Sequence, residues 1–72
     1  MSEKEYMIEC MTRDIILLLM EKRNMDLEHA LNTFYTSDTY SKLHDEKTGL
    51  YFQSPHYVYS FLENELTTGK FS

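Results

Sequence analysis

Residues 15–20 read Ile-Ile-Leu-Leu-Leu-Met, and no helix can hide six consecutive apolar side chains on a single stripe. Met7, Met11, Ile15, Leu18 and Leu19 recur at helical spacing, so the run belongs to a helix predicted from about Ser2 to Arg23. Ile8, Cys10, Ile16, Leu17 and Met20 widen its apolar arc far beyond one face. Such a helix needs more than one neighbour: other helices of the chain wrapped around it, or another subunit. Its ends are well marked. Ser2 can cap it, Glu3 and Glu5 suit the positive end of the helix dipole, and Lys22 and Arg23 suit the negative end.

The chain has 72 residues, enough for one small domain. A domain of that size buries only about 60 % of its unfolded surface and usually needs a supplement to its core. An internal disulfide is excluded, because Cys10 is the only cysteine. Cys10, His29, His44 and His56 lack the paired spacing of a zinc site, so no metal is expected. Self-association is the remaining common supplement, and a homo-oligomer is the expectation. An apolar content of 42 % with 14 % aromatics argues for a folded chain rather than a disordered one. The net charge of −5 repels phosphate backbones, which argues against nucleic acid. The six-residue apolar run falls far short of the roughly 20 residues that cross a bilayer. Met1-Ser2-Glu3-Lys4-Glu5 lacks the basic-then-apolar pattern of a secretion signal, so a cytoplasmic location without membrane contact is expected.

Arg23-Asn24-Met25 breaks the first helix. Asp26 then caps a second one, with Leu27, Ala30, Leu31 and Phe34 on one face. Asn32, Thr33, Thr36 and Thr39 are weak helix formers and keep this region short and interrupted. Ser37 can cap a third, shorter helix that carries Tyr40 and Leu43 inward. His44 to Gly49 is a polar loop in which Gly49 is free to take a positive φ. Leu50-Tyr51-Phe52 is predicted as a short extended crossing that buries Leu50 and Phe52. Ser54-Pro55 opens a last helix, where Val58, Phe61, Leu62 and Leu66 recur at helical spacing and Gly69 provides the stop. Leu50 to Ser54 also resembles a viral-protease site used to remove purification tags. That protease wants Glu where this chain has Thr48, and the stretch leads straight into a core helix, so it is native sequence. The fold class is therefore all-α: one domain over residues 1–72, a small bundle of three to four helices with a short extended segment before the last.

No constellation points to a reaction. Asp14 stands among apolar neighbours; buried, it could act as an acid or base, and otherwise it points outward or pairs with Arg13, Lys22 or a tyrosine hydroxyl. The three histidines fall in capped first turns or a loop, and no metalloprotease, nucleophile-elbow or phosphate-loop motif exists. With only Gly49 and Gly69, the chain could hardly cradle a nucleotide, so neither a cofactor nor enzymatic activity is expected. The aromatics are more informative. Tyr35, Tyr40, Tyr51, Tyr57 and Tyr59, with Phe52 and Phe61, either pack a small aromatic core or form an interface, where tyrosine combines a rigid body with a polar tip. Met7, Met11 and Met20 could fill the core or line an adaptable groove. Tyr35, Tyr40, Tyr51, Gln53, Tyr57 and Tyr59 are the candidate partner-binding residues, together with exposed apolar residues of the first helix. The acidic surface makes a basic protein the natural partner. The alternative is a regulatory DNA-binding protein, since Asp26–Phe34 and Ser37–Leu43 follow one another as in a helix-turn-helix. Its recognition helix would, however, carry Asp38 and only Lys42.

Ala30-Leu31-x-x-Phe34 and Ser37-x-x-Tyr40-x-x-Leu43-x-Asp45 precede Thr48-Gly49-Leu50-Tyr51-x-Gln53-Ser54-Pro55-x-Tyr57-Val58-Tyr59 and Leu62-x-x-Glu65-Leu66. This pattern resembles a family of short bacterial proteins classed as a domain of unknown function, over about residues 5 to 68. Gly-Leu-Tyr-x-Gln-Ser is its most specific part. Members are often encoded beside a protein resembling an ADP-ribosyltransferase toxin. The resemblance therefore implies a bacterial cytoplasmic protein with an accessory or antitoxin-like role, and it supplies no catalytic residues to carry over.

Overall fold

The apolar breadth of the first helix is met by wrapping. In the computed structural model, which describes residues 2–69, α1 (Glu3–Lys22) packs against α2 (Leu27–Tyr35), α4 (Pro55–Thr68) and a single 3-10 turn, Leu50–Phe52. The short α3 (Asp38–Leu43) packs on α4, on α2 and on that turn. Ile15 and Leu19 are fully buried, and Ile8, Met11 and Ile16 nearly so. They meet Ala30 and Phe34 from α2, Leu43 from α3, Leu50 from the turn, and Val58, Tyr59 and Leu62 from α4. The fold is all-α, with four α-helices and no strand among the described residues. No helix among them is long and apolar enough to cross a membrane.

Local signals place the helix boundaries. The side chains of Ser2, Asp26, Ser37 and Ser54 each accept from the backbone N–H three residues on, at 3.1, 2.8, 3.0 and 3.2 Å. Pro55 follows Ser54 at the first turn of α4, where a missing N–H leaves nothing unsatisfied. Gly49 and Gly69 take φ of 65° and 79°, the left-handed values that only glycine adopts without strain.

The segment before α4 differs from expectation. It is a 3-10 turn rather than an extended crossing, with Phe52 N–H donating to Gly49 at 3.1 Å and Gln53 N–H donating to Leu50 at 3.0 Å. An extended segment needs a paired strand, and none lies among the described residues; the turn satisfies its backbone internally. At three residues per turn, positions 50 and 52 no longer share a side. Leu50 is buried, but Phe52 is 67 % exposed instead of buried. Leu27 also departs from expectation: it is 55 % exposed, although Ala30 and Phe34 on the same helix are buried.

One long-range polar contact organises the small helices. The Glu65 carboxylate on α4 accepts from Asp38 N–H at 2.8 Å, from Thr39 N–H at 3.0 Å and from the Thr39 hydroxyl at 2.8 Å. These are orphan donors of the first turn of α3, and a negative charge there complements the helix dipole. At six residues α3 is too short to persist alone. Removing the acceptor strands a fully buried threonine hydroxyl and two backbone donors. Glu65→Ala should therefore lower stability by about 1–3 kcal/mol in urea unfolding. Glu21→Ala, on the exposed surface of α1, should stay within about 0.5 kcal/mol of the parent.

Candidate functional site

Wrapping leaves one flank of α1 uncovered. There α1 faces the first turn of α2, the Tyr35 end of α2 and the side of α3 across an open groove of about 630 Å³. Residues of α1 from Glu5 to Leu17 form one long edge, and Leu27, Tyr35, Tyr40 and His44 form the other. Ile8 and Ile16 supply a nearly buried apolar floor. Leu17 and Leu27 stand 54 % and 55 % exposed at its sides, and Tyr35 is about half exposed.

The aromatic wall is itself packed. Tyr40 meets Phe34 edge-on at 5.2 Å, Tyr35 at 5.0 Å and His44 at 4.6 Å between ring centroids. Edge-to-face contacts of this kind hold rings in fixed orientations. The rim is acidic in effect. Arg13 is satisfied by Asp14 at 3.4 Å, and Lys4 by Glu46 at 3.0 Å. The Glu5 and Glu9 carboxylates on the groove edge have no ion-pair partner among the described residues.

The structure divides the residues singled out from the sequence. Tyr35 and Tyr40 come together in the groove wall. Tyr51 lies outside it, half-buried, with its ring 4.3 Å from Phe52 and Lys4 Nζ 5.7 Å from its centroid. Gln53 is exposed at the end of the 3-10 turn, and Tyr57 is exposed with its ring edge-on to Phe61 at 5.1 Å. Tyr59 is a core residue, only 4 % exposed. Asp14 is partly exposed beside Arg13, one of the two arrangements its neighbours allowed. Among the described residues no three His, Cys, Asp or Glu side chains gather as metal ligands would. Leu27, Glu5, Glu9 and His44 were not legible as groove residues. The only signal for Leu17 was the length of its apolar run, which no single face could bury.

Tyr59 has a second peculiarity. Among the described residues its buried hydroxyl makes no hydrogen bond of good geometry, although Arg23 and Glu63 lie beside it in a small cleft with Lys22. Burial raises the phenol above the 10.0 of a free tyrosine, the Glu63 charge raises it further, and Arg23 opposes both. A buried hydroxyl without a well-made bond gives up little when it is removed, so Tyr59→Phe should leave stability within about 1 kcal/mol of the parent at neutral pH. The pH dependence follows from the raised value. Up to about pH 10 both states keep the proton; above it the unfolded chain loses its proton first, and stability falls as pH rises towards the folded value. Urea midpoints between about pH 9 and pH 11 should decline less steeply for Tyr59→Phe than for the parent.

Known proteins offer no template for either site: no family model, no curated protein and no solved structure matches the chain.

Proposed function

We propose that the protein is a non-enzymatic interaction module that captures an apolar segment of another protein in the groove beside α1. The observation that carries this reading is the exposure of Leu17, Leu27 and Tyr35 around one apolar floor. Contiguous apolar surface framed by polar residues marks interaction sites. Capture works by desolvating these side chains against partner anchors, with the rim charges selecting the partner. An accessory or antitoxin-like role is the form this function would take if the sequence resemblance holds. Binding to DNA by a helix-turn-helix is less well supported, because the first turn of α3 is occupied by the Glu65 carboxylate rather than open to a phosphate.

The test is affinity capture from a lysate of the source cells with the parent, Leu17→Asp and Phe52→Asp proteins. Leu17 and Phe52 are both more than half exposed, so each substitution should cost no more than about 1.5 kcal/mol and leave the fold intact. The parent and Phe52→Asp should retain one stoichiometric protein that Leu17→Asp loses. Equal capture by Leu17→Asp, or no captured protein at all, would remove the groove as the functional site.

A further inference from the structure

This inference rests on the groove reading and specifies its occupant. We propose that the groove binds a basic amphipathic helix of a partner protein, laid along α1, with two cationic side chains one turn apart facing Glu5 and Glu9. Three observations lead there. The first is length. From Glu5 to Leu17 the α1 edge spans about 18 Å at 1.5 Å per residue, which accommodates about three turns of a docked helix.

The second is backbone chemistry. No strand lies among the described residues, so an extended peptide finds no sheet edge on which to pair. The long α1 wall is a helix flank whose backbone groups are bonded within the helix, and Leu27, Tyr35 and His44 on the other wall stand at helix ends rather than on a strand. An occupant must therefore satisfy its own backbone, and a helix does so while presenting apolar anchors at helical spacing.

The third is charge. Glu5 and Glu9 are four residues apart on one α-helical edge, and among the described residues neither forms an ion pair. The neighbouring cations are engaged, Arg13 by Asp14 and Lys4 by Glu46. Two lysines or arginines at the same spacing on the docked helix would complete the pairs. A second copy of this chain is a poor occupant. It brings a net charge of −5, and a two-fold interface through this face would set its own Glu5 and Glu9 towards an acidic surface.

The probe is an 18-residue fluorescent Leu/Lys peptide patterned as an amphipathic helix. Two controls accompany it: a scrambled peptide of equal composition, and a Leu/Glu peptide with the same apolar face. Anisotropy should show that the patterned Leu/Lys peptide binds best and weakens with added salt. The double variant Glu5→Gln/Glu9→Gln should bind it about tenfold more weakly, the sum of two surface charge pairs. Leu17→Asp should abolish binding. If the double variant binds as the parent does, or the Leu/Glu peptide binds equally well, the charge assignment is wrong while the groove stands. If no peptide binds although lysate capture depends on Leu17, the helical occupant is wrong and the groove again stands. A dimer in sedimentation that Leu17→Asp dissociates would identify a second copy as the occupant and overturn the proposal. Unchanged peptide binding by Leu17→Asp would also overturn it, because the peptide would then lie elsewhere.

Discussion

The apolar run of α1 sets the terms for every other element. A helix with Ile15, Ile16, Leu18, Leu19 and Met20 in near succession must be covered on several sides. Among the described residues, α2, α4 and one 3-10 turn do most of the covering, with Leu43 of α3 reaching the same core. Ile15 and Leu19 vanish into the core, whereas Leu17, between them, stays more than half exposed. Three covering elements cannot close around a helix that is apolar on nearly all sides. The groove is the uncovered remainder, so the feature that drives folding also creates the candidate binding face.

Glu65 helps to hold the α3 part of the groove's second wall. Tyr40 and His44 belong to α3 and its end, and α3 is too short to hold its place by helical propensity. Its position comes from Leu43 in the core, from the Ser37 cap and from the Glu65 carboxylate reaching over from α4. Tyr40 then meets Tyr35 across the α2–α3 junction at 5.0 Å, and the aromatic wall is fixed before any partner arrives. Pre-ordering of this kind reduces the entropy lost on binding.

The parts of this organisation that could be read from the sequence are the local ones. Each helix start rests on a Ser or Asp bonding three residues ahead, and each glycine stop rests on a positive φ; both are decided within one turn of chain. Leu50–Phe52 is expected to be extended yet forms a turn, because a short apolar stretch suits either, and the choice depends on a pairing strand that is absent among the described residues. Glu65 was invisible for a different reason. Its partners lie 26 and 27 residues away, and a glutamate in a polar helix position has no local mark of a long-range cap. The groove shared that difficulty. Tyr35 and Tyr40 stood out by residue type, but Glu5 and Glu9 matter only because Arg13 and Lys4 are engaged elsewhere. That depends on where side chains lie, not on which ones they are.

A small core and an open groove then become one problem. The chain has a single cysteine, so no internal disulfide reinforces the core, and among the described residues the buried Tyr59 hydroxyl makes no hydrogen bond of good geometry. Domains of this size seldom hold more than about 3–5 kcal/mol from their core alone. A ligand that binds only the folded state adds about 2.7 kcal/mol at a hundred times its Kd. An occupant of the groove would thus contribute on the same scale as the whole core, and would do so where Leu17 and Leu27 remain in water. Filling those positions with polar residues would make the isolated chain more soluble but would remove the apolar contacts that bind the occupant. On this argument the exposed apolar residues that would bind a partner are also a cost to the free protein, and stability and affinity cannot be raised independently at this face.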